Sequence, residues 1–270
     1  MTTQERVIDH LREAEEFFDH DRIVGCFLQG SQNYGLDIQD ESYQSDVDTK
    51  LVVLPTFDEI VFNRKAHSTT HVRANDEHID FKDLRLMFQT FRKQNLNFIE
   101  ILFTPYFVLN EKYASEWRRL TDNKEKIARY SPYGAVKTMK GIALEKFHAM
   151  EHEYPARMHV LRQFSYDPKQ LHHLLRVEEF LTRYITGEPY EACMHPRDTE
   201  FLKLVKTGYY SLEKAREVAV RAKDNILEIA EDYCSKVPNF CDTEVDELLD
   251  SVQYNVMYLA MKDYFAGKEG

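Results

Sequence analysis

The 270-residue chain has few of the residues that mark several classes of protein. Its four cysteines, Cys26, Cys193, Cys234 and Cys241, show neither the spacing of a zinc site nor that of a redox pair. No apolar run approaches the roughly 18 residues of a membrane span, and the N-terminus carries no basic segment followed by an apolar one. We therefore expect a cytoplasmic protein with reduced thiols and no membrane partner.

Basic residues are fewer than acidic ones. The 35 lysines and arginines are outnumbered by 46 aspartates and glutamates, which gives a formal net charge of −11. This charge argues against a protein that coats nucleic acid through bulk electrostatic attraction, although it permits a local basic surface. With nine glycines, eight prolines and 43% hydrophobic residues, the composition is that of a globular chain with one large or two modest domains.

Hydrophobic periodicity predicts an α+β protein. Up to about residue 110, short strand-like segments alternate with helical ones, and beyond it only helical patterns occur. We predict a small mixed or antiparallel sheet with flanking helices over 1–110, then an α-helical domain over 111–270 that closes a cleft. The predicted strands are 23–29, 48–54, 67–74, 78–81 and an edge strand in the apolar block 97–109. The predicted helices are 4–20, one capped by Thr56, 83–94, 132–151 after Ser131-Pro132, 168–186 after Asp167-Pro168, 198–236 with a break near Gly208, and 243–265.

The most informative stretch is 26–54. It contains an apolar strand, a turn at Gly30-Ser31, a polar insertion, and a second strand that opens with Asp46 and Asp48. Residues two apart in a strand point to the same face, so the two carboxylates would project together. Their repulsion is relieved by a cation, and hard oxygen ligands suit Mg²⁺ or Mn²⁺. The turn offers backbone N–H groups and a hydroxyl to a phosphate.

A third acid completes this pattern about thirty residues later. Asp80 is flanked by apolar residues in a predicted strand, while the competing Asp83 precedes a helix and resembles a helix cap. Three acids at one sheet edge could hold two divalent ions, one activating an attacking hydroxyl and one neutralising a leaving pyrophosphate. An isolated Asp-x-Asp in so acidic a chain is more often solvated, so the order of the motifs carries the prediction.

This order resembles the signature of the polymerase-beta-like nucleotidyltransferase superfamily. The resemblance implies that Gly30 and Ser31 bind the β- and γ-phosphates of a nucleoside triphosphate. It also implies that Asp46, Asp48 and Asp80 are the catalytic acids and hold two Mg²⁺ or Mn²⁺ ions.

Further motifs over about 24–187 resemble one branch, the predicted nucleotidyltransferases associated with RNA repair and also found in phages. For this branch we expect Tyr34 and Ser45 to join the nucleotide-binding residues. Tyr34 could stack on a base or ribose, although a tyrosine beside a glycine turn is as often a packing anchor. The motifs are Gly30-Ser31-x-x-Tyr34-Gly35, Ser45-Asp46-x-Asp48, Asn97-Phe98-Ile99-Glu100-Ile101-Leu102, and Tyr166-Asp167-x-Lys169-x-x-His172-x-x-x-Arg176.

The last motif predicts a cationic stripe on a helix. Lys169, His172 or His173, and Arg176 recur at intervals of three or four residues and would line one helix face. Such a stripe could grip the triphosphate or the phosphates of an acceptor, with arginine as a bidentate clamp. The alternative is a solvated face whose cations pair with neighbouring glutamates.

Taken together, the motifs predict a metal-dependent enzyme that transfers a nucleoside monophosphate from an NTP to an acceptor hydroxyl. RNA, either tRNA or an RNA 3′ end, is the favoured acceptor because the resemblance implies it and because basic residues concentrate in 129–183. These residues form either a surface that faces RNA or the compensating face of a helical domain. A protein or small-molecule hydroxyl is the alternative, favoured by the net acidity, and a non-catalytic nucleotide- or partner-binding protein is the third. The concentrated basic residues are Lys137, Lys140, Lys146, Arg157, Arg162, Lys169, Arg176 and Arg183.

Two further expectations concern single features. Glu100 lies in an apolar run, and we expect it to pair with a cation such as Arg85 or Arg92. Exposed tyrosines and phenylalanines over 201–264 would provide a helical surface through which the chain could form oligomers.

Overall fold

Within the part of the chain that a computed structural model describes, residues 1–39 and 45–266, five short strands form one mixed sheet. They run in the order β3-β4-β2-β1-β5, with β2 and β4 parallel and the other neighbours antiparallel. This arrangement confirms the predicted α+β class. The strands are Ile23–Gln29 (β1), Asp48–Val53 (β2), Ser68–Val72 (β3), His78–Asp83 (β4) and Phe107–Leu109 (β5).

Helices flank the sheet and make up most of the chain after it. Several begin where the sequence predicts: Thr56 and Glu59 form a capping box, and Ser131 and Asp167 each cap a helix whose first residue is proline. The helices are Thr3–Ala14 (α1), Phe57–Val61 (α2), Leu84–Arg92 (α3), Leu96–Ile99 (α4), Ala114–Asp122 (α5), Lys124–Ile127 (α6), Pro132–Ala149 (α7), Met158–Phe164 (α8), Pro168–Ile185 (α9), Tyr190–Met194 (α10), Thr199–Lys206 (α11), Leu212–Lys236 (α12) and Thr243–Ala266 (α13).

Two predicted elements are shorter than the sequence predicts. The first helix ends at Ala14 rather than near residue 20, because the chain turns there and buries Phe18 edge-on against Phe81, 5.0 Å between ring centroids. The first six residues of the apolar block 97–109 are helical, since the Asn95 side chain accepts a hydrogen bond from the backbone N–H of Asn97 and caps α4. Only its last three residues form the predicted edge strand, β5.

The two faces of the sheet have opposite character. On one face, Val7 of α1 packs against a continuous apolar layer from β1, β2 and β4 that includes Leu28, Leu51, Ile79 and Phe81. Because side chains alternate along a strand, the intervening residues of the same strands point to the other face, which is partly polar. The candidate site lies on this second face.

The described residues form two compact units. The first contains the sheet and comprises 1–33, 45–130 and 241–266, and the second comprises 34–39 and 131–240. The first unit thus includes α5, α6 and α13, which the predicted boundary at residue 110 assigns to the helical domain. On α13, the exposed Tyr254 and Tyr258 stack with ring centroids 6.3 Å apart. Oligomer formation through this region stays a prediction.

In 1–39 and 45–266, no helix combines the length and the apolar character that crossing a membrane would require.

Candidate active site

Strand register brings five polar side chains together on the second face of the sheet. Gln29 is paired with Asp48, Lys50 with Asp80, and Asp80 with Thr70. Paired residues project to the same face, and so do Asp48 and Lys50, which are two residues apart. The structure therefore brings the predicted acids Asp48 and Asp80 to one face of adjacent parallel strands, with the buried Lys50 between them.

The Gly30-Ser31 turn follows β1 directly and is tied to the Asp-x-Asp segment. Gly30 has a φ of +98°, and Ser31 begins a 3₁₀ turn that ends at Tyr34. The Gln32 side chain donates a 2.6 Å hydrogen bond to the carbonyl oxygen of Asp46. Since Gln29 is also in register with Asp48, the turn and the two acids belong to one local structure.

Glu100 contacts the Gly-Ser turn and its charge acts on the buried cation Lys50, while the two arginines named as its expected partners bond to other acids. This glutamate is buried, and its Oε1 accepts a 3.3 Å hydrogen bond from the backbone N–H of Gly30. Arg85 instead bonds to Asp83, and Arg92 bonds to acids of α13. Glu100 therefore helps to hold the Gly-Ser turn, a role that its apolar sequence surroundings did not reveal.

Substituting Gly30 with alanine should impair both stability and nucleotide binding. At φ +98° a side chain is strained, although the space around the position is open. We expect a loss of about 1–2 kcal/mol in the free energy of unfolding, and a raised KM for the nucleotide because the turn would shift. Gly187, with φ +86° and similarly open space, is the matched control. Gly187→Ala should lower the free energy of unfolding by a similar amount and leave KM for the nucleotide unchanged. If both variants had the same KM, the turn would have no role in nucleotide binding.

Asp46 and Asp48 have different surroundings. Asp46 is exposed and precedes β2, so it is not held by the strand as the sequence predicts. Asp48 opens β2, and its Oδ1 accepts a 3.0 Å hydrogen bond from the backbone N–H of His78. Burial lowers the pKa of the nearby Arg6, while the negative charges of Asp46 and Asp48 act to raise it. The cation on Arg6 thus lies within electrostatic range of both acids.

Asp80 is held by three side chains. Its Oδ1 accepts a 2.5 Å hydrogen bond from the Thr70 hydroxyl, while Oδ2 lies 3.3 Å from Gln29 Nε2 and 3.4 Å from Lys50 Nζ. Burial acts to raise the pKa of Asp80, but these hydrogen bonds and the charge of Lys50 outweigh it and lower the pKa. Asp80 is therefore ionised at neutral pH and has a buried counter-ion.

Lys50 was missed by the sequence reasoning. Its side chain is buried, donates to Gln29 Oε1, and places Nζ 4.6 Å from the centroid of the Phe98 ring. Burial lowers the pKa of Lys50, and the charge of Asp80 opposes that shift. The signal was present in the sequence, because a residue two positions after Asp48 must share its face.

The carboxylates of the predicted acids are suitable ligands for a divalent cation, but the three side chains are not grouped into a metal site. Carboxylate oxygens are the ligands that Mg²⁺ and Mn²⁺ prefer, and Asp46 and Asp48 supply them. Across the described ranges, however, no three or more His, Cys, Asp or Glu side chains are grouped to hold a metal ion. Asp83 is buried as the cap of α3 and bonds to Arg85, which confirms its interpretation as a cap and leaves Asp80 as the candidate third acid.

Glu77 is a second residue that the sequence reasoning missed. This glutamate is 1% exposed, and its Oε1 accepts a 3.2 Å hydrogen bond from the backbone N–H of Val47, between the two acids. Arg6, His10 and Arg73 surround the same carboxylate, with Arg73 Nη1 and His10 Nε2 each 2.9 Å from Oε2. A buried, multiply bonded carboxylate thus fixes the backbone from which Asp46 and Asp48 project.

The remaining predicted nucleotide-binding residues lie apart from this face or in the second unit. Ser45 is buried beside Asp46, and the polar insertion before it lies in part, at 40–44, outside the described residues. In the second unit, the Arg176 guanidinium carbon lies 3.6 Å from the centroid of the buried Tyr34 ring. This is a cation–π contact that fixes Arg176 on one side. The nucleotide-binding roles of these residues stay predictions.

The predicted cationic stripe lacks one charge. His172 is 2% exposed, and its Nδ1 donates a 2.9 Å hydrogen bond to the carbonyl oxygen of Leu202. Burial lowers the pKa of His172 to about 4, and the charge of Arg176 adds to the effect. His172 is therefore neutral at pH 7, and the stripe on α9 consists of Lys169 and Arg176.

The lowered pKa of His172 predicts an acid-labile helical unit. Between about pH 6.5 and 4 the unfolded chain binds a proton at this histidine that the folded chain does not, so stability falls as the pH falls. From pH 7 to pH 5 we expect the wild type to lose roughly 2 kcal/mol more than His172→Gln, which cannot titrate. Urea unfolding at the two pH values measures this difference, and identical losses in both proteins would refute the assignment.

Half of the eight basic residues that concentrate in 129–183 form ion pairs within the described part of the chain. Lys140 pairs with Glu231, Lys146 with Glu145, and Arg157 with Asp167. Arg183 pairs with two glutamates, Glu179 and Glu188. These contacts support the view that many of the cations compensate acids of the same helical unit, and an RNA-binding surface there stays a prediction.

Comparisons with known proteins do not identify the family of this chain. No protein-family model matches the chain, and no curated protein matches it. Among solved structures, the chain is similar to a nucleotidyltransferase-like protein from Exiguobacterium sibiricum at 14% sequence identity. The alignment covers 83% of this chain and 74% of that one, with a TM-score of 0.30. A TM-score this low carries no argument, so the function proposed below rests on the residues.

Proposed function

We propose that this protein is a nucleotidyltransferase that transfers a nucleoside monophosphate from an NTP to an acceptor hydroxyl. One observation carries the proposal: the Gly30-Ser31 turn and the Asp46-x-Asp48 segment are joined by strand register and by the bond from Gln32 to Asp46. A phosphate-binding turn beside two carboxylates is the combination that transfer from a triphosphate needs, because both phosphate charge and a divalent cation must be held.

Each site residue has a role in this proposal. The N–H groups and the hydroxyl of the Gly30-Ser31 turn would bind the triphosphate. Asp46 and Asp48 would hold Mg²⁺ or Mn²⁺, which supplies charge neutralisation at the phosphates when bound. Asp80 is proposed as the third acid, on the face shared with Asp48, where its ionised carboxylate would accept a hydrogen bond from the acceptor hydroxyl and orient it.

Residues of the second unit are proposed to assist. Lys169 and Arg176 would add positive charge for phosphates, and Arg176 is held in place by its contact with Tyr34. Tyr34 and Ser45 remain proposed nucleotide-binding residues. His172, neutral and buried, would support this helix from within rather than contact phosphate.

RNA is the proposed acceptor, in agreement with the resemblance to the RNA-repair branch. The alternative acceptors are a protein hydroxyl and a small-molecule hydroxyl, which the acidic net charge of −11 favours. A protein that binds a nucleotide without reacting is the third candidate.

Incubation with labelled substrates separates these candidates. The protein is mixed with each NTP labelled in its α-phosphate, with Mg²⁺ or Mn²⁺, and with tRNA or a cell extract. Label on RNA supports the proposed acceptor, label on protein or on a small product supports an alternative, and no transfer with any mixture would refute the enzymatic proposal. The Asp48→Asn variant is the control for contaminating activity.

A further inference from the structure

The ammonium group of Lys50 lies beside the candidate third acid. Its Nζ is 3.4 Å from Asp80 Oδ2, donates to Gln29 Oε1, and lies 4.6 Å from the centroid of the Phe98 ring. The Lys50 side chain is 4% exposed, while that of Asp80 is 22% exposed. The first unit thus holds a buried positive charge on the same sheet face as Asp48 and Asp80.

Both carboxylate oxygens of Asp80 are engaged by protein groups. Oδ1 accepts a 2.5 Å hydrogen bond from the Thr70 hydroxyl, and Oδ2 lies 3.3 Å from Gln29 Nε2 in addition to its contact with Lys50. A divalent ion that bound to Asp80 would have to compete with these contacts for the same oxygens. It would also have to approach the ammonium of Lys50, whose like charge repels it.

The position of Lys50 connects two parts of the candidate site. The pairing of β2 with β4 places Lys50 directly opposite Asp80. On its other side, Lys50 donates to Gln29, the residue that leads into the Gly30-Ser31 turn. One cation therefore lies between the proposed phosphate-binding turn and the proposed third acid.

Stability alone does not account for this lysine. Replacing a buried ion pair with apolar residues of similar volume is often neutral or stabilising, so a sheet face gains little stability from such a pair. Burial lowers the pKa of Lys50, and the negative charges of Asp80 and Glu100 act to raise it, so two carboxylates lie within electrostatic range of the ammonium. Transfer from a triphosphate needs fixed positive charge of this kind near the phosphates.

We propose that the Lys50 ammonium takes the place of the second divalent ion that the family resemblance implies. The site then binds a single Mg²⁺ or Mn²⁺ ion, at Asp46 and Asp48, and none at Asp80. Lys50 supplies positive charge and acts as a positioning residue for the Asp80 carboxylate. This inference rests on the proposed function, because it concerns the metal ions of that site.

The number of bound metal ions tests this inference. The full-length chain is mixed with Mn²⁺ and each α,β-methylene NTP, from which no nucleotide can be transferred, and native mass spectrometry counts the ions in the complex. The wild type should bind one Mn²⁺ ion per chain. Lys50→Gln should bind two, because the Asp80 carboxylate loses its cation and becomes a ligand. Lys50→Arg keeps the charge and should bind one.

Lys82 provides the matched control for the loss of a positive charge. It lies two residues after Asp80 on the same strand face, and it donates a 2.6 Å hydrogen bond to the Ser68 hydroxyl. Lys82→Gln should therefore still bind one Mn²⁺ ion.

Asp80→Asn tests the same inference without removing the buried lysine. Calorimetry should show that its affinity for Mn²⁺ differs from that of the wild type by less than about twofold, whereas the loss of a metal ligand would weaken binding about tenfold or more. Asp48→Asn, which removes a proposed ligand, is the comparison.

The inference is overturned if the wild type binds two Mn²⁺ ions, or if Lys50→Gln binds the same number as Lys50→Arg or Lys82→Gln. It is also overturned if Asp80→Asn loses as much Mn²⁺ affinity as Asp48→Asn. None of these measurements requires nucleotidyl transfer. One bound ion without transfer would contradict the proposed function alone, transfer with two bound ions would contradict this inference alone, and a wild type that binds no Mn²⁺ would contradict both.

Discussion

Replacing Asp48 with asparagine should reduce nucleotidyl transfer by about 10³-fold or more while leaving the protein folded. The expected loss corresponds to roughly 4 kcal/mol of transition-state stabilisation, the scale of effect expected when a bound metal loses an anionic ligand. Asparagine keeps the shape of the side chain and can still accept the hydrogen bond from the backbone N–H of His78, which aspartate now accepts at 3.0 Å. The fold should therefore survive.

Replacing Asp46 should also abolish transfer, and it should affect the stability of the fold less than replacing Asp48 does. Asp46 is exposed, so Asp46→Asn should change the free energy of unfolding by less than about 0.5 kcal/mol and still abolish transfer. Asp224→Asn, an acid on α12 paired with Lys223, is the control for a general loss of charge and should retain full activity. Normal transfer activity in both Asp46→Asn and Asp48→Asn would contradict the proposal that these acids hold the metal ion.

Replacing Glu77 with alanine should cost about 3 kcal/mol in the free energy of unfolding, because it leaves two partly buried arginines without their counter-charge. Arg6 and Arg73 are 21% and 18% exposed, which keeps the effect at the lower end of the range for buried ion pairs. The backbone N–H of Val47 would also lose its acceptor. Urea unfolding measures the cost, and Glu151→Ala is the control.

Glu151 forms a similar bidentate pair with Arg216, but at the surface, where its side chain is 38% exposed. Such pairs contribute about 0–1 kcal/mol. If Glu77→Ala and Glu151→Ala lost the same free energy of unfolding, the contacts of Glu77 would stabilise the fold no more than a surface ion pair does.

If Glu77 positions the metal-binding acids, its replacement should also weaken metal binding. At a temperature where both proteins are folded, Glu77→Ala should bind Mn²⁺ about 10–100-fold more weakly, as for other residues that orient metal ligands. Glu77→Gln keeps an acceptor for Val47 and should recover part of this affinity. A stability loss without any change in Mn²⁺ affinity would leave Glu77 a purely structural residue.

The sequence predicts the local parts of this molecule well. Strand β1, the caps at Thr56, Ser131 and Asp167, and the break near Gly208 follow from signals within a few residues. The Gly208 break is possible because this glycine takes a φ of +92°. These features depend on backbone geometry and short-range hydrogen bonds, which the local sequence specifies.

Features that depend on long-range contacts were missed. Glu77 follows Asn75-Asp76 in a segment that resembles a solvated turn, yet it is buried because α1 supplies Arg6 and His10 as partners. Lys50 is buried because Asp80 and Gln29 come from neighbouring strands. His172 was predicted to carry charge, and packing against Leu202 makes it neutral. In each case the partner is distant in sequence. Local periodicity places Lys50 on the face of Asp48, but it cannot show which residues bury these three side chains.

The most direct test of the central proposal compares two labels in the same NTP. Wild-type protein is incubated with Mn²⁺ and tRNA or cell extract, using NTP labelled in either the α- or the γ-phosphate. The proposal predicts that the α-label enters a new product, that the γ-label leaves as pyrophosphate, and that Asp48→Asn stops both. Entry of the γ-label into a product, or no transfer of either label, would contradict it.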